Sequence, residues 1–496
     1  MPVLCEQSAQ RSNITSRSNS TSLEITQRLG KGYVTGSRGA YAMEFLGIRY
    51  AAQPERFGYS VVFDNDAEVT SLAPAPACPQ LDGTTVVGGE DCLFLNIWTP
   101  SLPDLSRPHQ KKSLKAVMVW FFGSGGSSTD PTTDGGNLAS RGDVVVVSFN
   151  YRIGDLGWLA LNSSDARGNY GLSDMVTVLK VTIFGESSGA ANVRALMASP
   201  AAKGLFSAAI MELSSGLFGA NEPYIEYQTV QEKHDSIAAG VLAQVGCLNA
   251  SDRLACLRNL TVGAILNATQ DPGLNTVLNL TAGVVLNPSP ALILASGQFA
   301  SPSGPNNTLA AFNATQRVLT DLGIRCADEC TAFVGAQNDR FERAYYFQFN
   351  RTYQPSTFDA YECHPAATPN RPYGDPELEY FKCHAGEVAY VFGNFVPNGL
   401  PDRDGLDISF SQLVIDYWSA FARNSGNPNP ESGYLAARGY TNSSRTMSTV
   451  GAWRPVVAQA SARAIRQLGT TLSDITWVDA AQCNVLNQAL TLYESL

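Results

Sequence analysis

Apolar runs that do not alternate with polar residues are the first feature of the chain. "LKAVMVWFFGSGG" (residues 114–126) and "DVVVVSFNYR" (residues 143–152) are rich in β-branched side chains, and "VTIFG" from Val181 is a third such run. Runs of this kind suit strands buried on both faces, because a half-exposed strand alternates. Just before the third run, "LSDMVTVLK" spaces Leu172, Met175, Val176 and Leu179 at helical intervals and predicts a helix over residues 172–180. Strands alternating with helices imply a mostly parallel sheet with right-handed crossovers. Past residue 220 the pattern turns helical, as in "YIEYQTVQEKHDSIAAGVLAQVG" and "FSQLVIDYWSAFARNSGNP", while "RAYYFQFNR" (residues 343–351) reads as a late strand. Residues 1–22 are polar, Ser-rich and without period, the pattern of a disordered arm. From residue 23 to residue 496 there is neither linker nor repeat. The expectation is one large α/β domain whose later half is helix-rich.

Charge narrows the partners. The 496 residues carry a net charge of −10, and the basic residues gather no further than the Lys111 and Lys112 pair, so nucleic acid and anionic membrane surfaces are poor partners. No apolar run reaches the length of about 20 residues that spans a bilayer, and "MPVLCEQSAQRSN" has no apolar signal-peptide core. Ten cysteines, an even number, stand beside a dense set of N-x-S/T acceptors, including Asn13, Asn19, Asn162, Asn259, Asn267, Asn279, Asn313, Asn350 and Asn442. That chemistry belongs to the secretory route. The expectation is a secreted, disulfide-bonded glycoprotein whose leader lies upstream of this sequence.

The strongest chemical signal is "KVTIFGESSGAANV", a G-x-S-x-G from Gly185 to Gly189 set between a strand-like and a helix-like stretch. A serine hydroxyl is a weak nucleophile that needs a base, an oxyanion site and exposure at a strand end. A sharp strand-to-helix turn, with glycine two residues to either side of Ser187, supplies that exposure.

On these residues the chain resembles the type-B carboxylesterase and cholinesterase-like lipase family of the α/β-hydrolase fold. "EDCLFLNIWTP" from Glu90 is similar to the second signature of that family and "FGESSGA" to its active-site signature. "LFSAAIMELSSG", "CHAGEVAYVFG" and "DYWSAFARNSGNPNP" match further blocks. The resemblance runs from about residue 30 to residue 487 and implies a central, mostly parallel sheet flanked by helices. It also implies an ester hydrolase in which Ser187 attacks the carbonyl and His384 takes its proton. His109, His234 and His364 then read as structural or solvated, with His364 a distant second choice of base. The oxyanion site is expected from the backbone N–H of Ser188 and from Ser124 and Gly125 in the loop after "VMVWF", where Phe122-Gly123-Ser124-Gly125 replaces the usual His or Tyr before three glycines.

The chain departs from the family in two places. Near residue 180 "MVTVLK" runs directly into the strand, so a crossover of about four helical turns becomes roughly two. Near residue 300 the loop that carries the acid of the triad has no match between Ser187 and His384. "ADECTAF" imitates that loop and makes Glu329 a weak substitute, although Cys326 fits a later structural cysteine, which puts Glu329 on a helix. Both departures read as lost family segments. By the resemblance, Cys78 pairs with Cys92, Cys247 with Cys256, Cys326 with Cys483 and Cys363 with Cys383, leaving Cys5 and Cys330. No C-x-x-C pair suggests zinc, and neither a metal nor a cofactor is expected. Glu90 is expected to pair with Arg56.

The Cys78 to Cys92 loop is short and lacks an aromatic residue, which favours neither a choline esterase nor an interfacial lipase. The reading is a secreted serine esterase acting on small to medium acyl esters. Its alternatives are a non-catalytic cholinesterase-like module and an impaired enzyme. Fold analogy gives the reaction class and not the ester.

Overall fold

The computed structural model describes residues 20–29, 32–64, 68–103, 114–123, 126–163, 166–179, 181–212, 229–268, 316–354 and 363–491. The Ser-rich stretch before residue 20, Cys5, and the segment near residue 300 where the sequence departs from the family lie outside them. Two compact units are formed, one drawn from Met1–Glu212, Val230–Thr269 and Thr352–Ser443, the other from Leu213–Thr229, Gln270–Arg351 and Ser444–Leu496.

The first unit is built on one mixed sheet. Its strands are β1 (Glu24–Leu29), β2 (Gly32–Arg38), β3 (Met43–Arg49), β4 (Val69–Thr70), β5 (Phe94–Thr99), β6 (Val117–Phe121), β7 (Val145–Phe149), β8 (Val181–Glu186) and β9 (Phe206–Glu212). They lie in the order β1-β2-β3-β5-β7-β6-β8-β9, with β4 beside β2. Antiparallel pairing holds from β1 to β7, and parallel pairing among β7, β6, β8 and β9. The three apolar runs are β6, β7 and β8. Trp120, Phe121, Phe149 and Phe184 are almost wholly buried, as residues covered on both sheet faces must be. Trp120 packs on Phe184 and Phe392 with ring centroids 5.0 Å apart in each case.

Helices α1 (Gly136–Gly142), α2 (Gly154–Trp158), α3 (Tyr170–Val178) and α4 (Ser188–Ala198) fall between the parallel strands, and α5 (Val388–Phe392) and α6 (Asp407–Arg423) return to the same unit. Strand order reverses between β6 and β8: the chain moves outward from β6 to β7 and then comes back to the far side of β6. Loops at the ends of two such strands separate and leave a crevice.

The short crossover closes as a nine-residue helix. It begins two residues earlier than the spacing predicts, and its buried face differs. Tyr170, Gly171, Asp174 and Met175 are buried, whereas Leu172 and Val176 are only partly so. The cause is ionic. Arg152 donates to Asp174 through Nε at 2.9 Å and Nη2 at 2.8 Å, and its backbone N–H donates to the same carboxylate at 3.1 Å. Hydrophobic spacing alone does not reveal a paired charge under a helix.

The second unit holds the helix Cys326–Gln337 and a three-stranded sheet in which β10 (Tyr346–Phe349) pairs parallel with β11 (Ile465–Leu468), and β11 antiparallel with β12 (Ser473–Ile475). Its core gathers Phe333, Val456, Ala464, Ile465 and Trp477. The late strand expected over residues 343–351 is thus four residues long and belongs to this unit.

Removing one member of a buried, multiply bonded ion pair leaves the other charge uncompensated. Asp174→Asn is expected to lower the unfolding free energy by about 3–5 kcal/mol, read as a lower urea midpoint with an unchanged slope.

Candidate active site

Ser187 stands where β8 ends and α4 begins, with φ 58° and ψ −126°. A side chain in that region carries strain of about 1–3 kcal/mol and persists only when its surroundings fix it. Two backbone bonds do so: Ser187 N–H donates to the carbonyl of Glu212 at 3.0 Å, and Ala191 N–H to the carbonyl of Ser187 at 3.0 Å. The flanking glycines are required by close approach. A Cβ on Gly189 would lie 2.1 Å from the Phe121 carbonyl oxygen, and one on Gly185 2.8 Å from the same atom. The turn therefore sits directly on the end of β6.

The loop after β6 meets the serine. A Cβ on Gly123 would lie 3.0 Å from Ser187 Cβ. Tyr151 stacks on Phe122 with ring centroids 4.3 Å apart and donates its hydroxyl hydrogen to the Phe122 carbonyl, which fixes the start of the loop. Ser188 is the first residue of α4, whose leading N–H groups form the positive end of the helix dipole. Ser124 and Gly125 lie outside the described residues.

His384 is held by its neighbours. Cys383 is bridged to Cys363, Gln354 donates to the His384 carbonyl at 2.5 Å, and Tyr353 N–H to the Gly386 carbonyl at 2.7 Å. Ala385 follows at φ 61°. Burial lowers the imidazole from its ordinary value, so the ring is neutral at neutral pH. Its Nε2 stands 3.1 Å from Oε1 of Glu186.

The remaining residues fall as follows. Cys78–Cys92, Cys247–Cys256 and Cys326–Cys483 are also bridged, and Cys330 is buried outside any bridge. Arg56 grips Glu90 in a two-point pair at 2.8 Å through Nε and Nη2. The Cys78–Cys92 loop encloses a small hairpin, Gln80–Asp82 against Thr85–Val87. Glu329 belongs to the second unit, where it is fully buried on the helix Cys326–Gln337 and accepts the Val478 N–H at 3.0 Å. Ser187 and His384 both belong to the first unit.

Sequence reasoning missed the groups around this pair. Glu186, Glu212 and Glu387 are all buried, and each keeps one buried oxygen without a hydrogen bond: Glu186 Oε1, Glu212 Oε2 and Glu387 Oε1. The other Glu212 oxygen takes the Trp418 indole N–H at 2.7 Å. Burial, then the charges of Glu387 and Glu212, push Glu186 up to about 10. Burial and the charge of Glu387 push Glu212 upward as well, and burial raises Glu387 to about 7. All three lie inside the quoted sequence blocks. The available signal was a carboxylate in each apolar stretch.

These raised values set a direction for stability. Each carboxyl holds its proton more tightly folded than unfolded, where it ionises at about 4.3, so the stability due to protonated Glu387 is full below that value and declines as pH rises through about 7. That due to Glu186 goes on declining towards about 10. Melting temperature is expected to fall less between about pH 5 and about pH 9 in Glu387→Gln than in the parent protein, as read by calorimetry.

The carboxylesterase family profile matches residues 20–302. Acetylcholinesterase of Danio rerio is 36% identical over 282 residues, 48% of this chain and 42% of that protein. Para-nitrobenzyl esterase of Bacillus subtilis (strain 168) is 30% identical over 279 residues, 50% of this chain and 55% of that protein. The medium-chain fatty acyl-CoA hydrolase precursor of Anas platyrhynchos is 29% identical over 407 residues, 69% of each. A solved PNB esterase shares the fold, with a TM-score of 0.65 at 22% identity over 94% of this chain and 100% of that one. The chain spans about half the length of the curated relatives it matches. With the family profile covering more than half of its residues, the chain belongs to the carboxylesterase family.

Proposed function

We propose that the protein is a secreted serine ester hydrolase that cleaves small to medium acyl esters through an acyl-enzyme. One observation carries the reading: a strained serine at a strand-to-helix turn, with the glycine loop of the neighbouring strand against it. Ser187 Oγ bonds to the ester carbonyl carbon as its proton passes to His384. The carbonyl oxygen takes the negative charge and is stabilised by the Ser188 N–H and the loop after Phe122. His384 then protonates the departing alcohol, and water releases the acid by the same steps in reverse order of roles. The short Cys78–Cys92 loop, with no aromatic residue, supports a substrate bound neither by cation–π attraction nor at a lipid interface. The four disulfides support an oxidising destination, and the described acceptors Asn162, Asn259, Asn267, Asn350 and Asn442 are all exposed.

The engagement of Glu329 with Val478 favours a second reading, a non-catalytic module that keeps the nucleophile turn without a triad acid. A fluorophosphonate probe separates the two. Covalent labelling of the parent protein, lost in Ser187→Ala with an unchanged melt, is expected of the hydrolase, together with a fall of about 10⁴-fold or more in kcat on p-nitrophenyl acetate. A folded parent protein that takes no label would establish the module instead.

A further inference from the structure

The candidate base sits in a β-turn that its own residues do not favour. Gly386 N–H donates to the Cys383 carbonyl at 3.2 Å, which makes His384 and Ala385 the two central residues. Ala385 has φ 61°, whereas His384 keeps a negative φ. That combination is the type II turn, which needs a positive φ at its third position and prefers glycine there. Alanine carries a Cβ that resists the left-handed region, and it suits the type I turn, with φ about −90° at the same place. Something outside the turn has to hold it.

The two turn types share their ends and differ in the central peptide, which is turned over. The ends are fixed by the bridge from Cys363 to Cys383 and by the Tyr353 N–H on the Gly386 carbonyl at 2.7 Å, and neither contact distinguishes the types. Gln354 does. Its Nε2 donates at 2.5 Å to the His384 carbonyl, the oxygen of the central peptide. The amide is buried, and its own oxygen has no hydrogen bond, an arrangement that costs free energy. The approach is also close: a Cβ on Gly386 would lie 2.5 Å from Thr352 Cβ and 2.8 Å from Gln354 Oε1.

We propose that Gln354 is a positioning residue for His384, holding the His384–Ala385 peptide in its type II orientation so that the imidazole stays at the nucleophile turn. The proposal rests on the ester-hydrolase reading. The ring stands there in the structure, with Nε2 3.1 Å from Oε1 of Glu186, the residue before Ser187. Without the amide the peptide turns over to type I, and ψ of His384 passes from about +120° to about −30°. The χ1 rotamers open to a side chain depend on its φ and ψ, so the direction of the ring is no longer fixed. Gln354 thus acts on the main chain, where a triad acid acts on the ring.

The measurement is the saturating rate of fluorophosphonate labelling, with the probe concentration that gives half of it, for the parent protein, Gln354→Met, Ala385→Gly and the double variant. Each is taken with a thermal melt and labelled well below it. Methionine keeps the length of glutamine and lacks the donor. Gln354→Met is expected to label about tenfold more slowly at saturation, the population lost when a Cβ resists the left-handed region, with half-saturation unchanged. Glycine accepts the positive φ unaided. Ala385→Gly alone should therefore label at the parent rate, and in the double variant it should restore the rate to within about twofold of the parent. A role confined to stability would lower the melt and leave the rate of the folded protein where it was. A folded Gln354→Met that labels at the parent rate, or a loss that Ala385→Gly does not restore, overturns the positioning role while the hydrolase stands. Should Gln354→Met fail to melt cooperatively, the same two outcomes are read from Gln354→Asn, whose amide stays polar but falls one methylene short of the carbonyl. A folded parent protein that takes no label removes the hydrolase and the positioning role together.

Discussion

The first unit depends on how closely α4 can lie against the end of β6. The backbone of Gly189 comes so near the Phe121 carbonyl that even a methyl group has no room, and Gly185 is confined by the same oxygen. This approach bends the chain at Ser187, and the bend fixes much else. It brings the Ser187 N–H to the Glu212 carbonyl and so ties β8 to β9 beyond their regular ladder. It also sets the Gly123 loop beside the serine. The crevice at the reversal of strand order would otherwise be a gap between two loops. With the turn in place it has a floor made of main chain, which does not change rotamer.

Burial on that floor explains the electrostatics. A carboxylate at the end of a buried strand has lost its water and has to be paired, hydrogen-bonded or neutral. Asp174, buried on α3, takes the first course, with Arg152. Glu186, Glu212 and Glu387 have been given no arginine among their described contacts. Glu212 has one indole N–H, and the cluster is left to settle its charge by holding protons. Structural acids and acids of the site are therefore told apart by what faces them.

Much of the fold was legible because burial on both faces writes itself as unbroken apolar runs, and β6, β7 and β8 fall inside the three that stand out. The nucleophile turn was legible because glycine spacing records a steric limit. Other features follow from partners distant in sequence. β10 reads as a strand, but nothing in residues 343–351 says that it pairs with residues 465–468. The buried face of α3 takes in Met175 and, just past its end, Leu179, as hydrophobic spacing assigned, but an ion pair with Arg152 brings Asp174 into it while Leu172 and Val176 are only partly buried. Glu329 read as the nearest substitute for the acid, because a local resemblance does not show that its carboxyl is taken by Val478. Glu186 went unremarked because it occupies a variable position of the motif.

The Cys326–Cys483 bridge joins residues 157 apart, whereas the others join residues 9 to 20 apart. During synthesis the short bridges can close as soon as their second cysteine emerges. Cys326 has to wait for nearly the whole remainder of the chain. Cys330 lies one helical turn further along, a second thiol in the same helix throughout that delay. The second unit, drawn from three separated stretches, is thus the last part of the molecule to be secured, and the order in which the bridges form becomes part of what the sequence encodes.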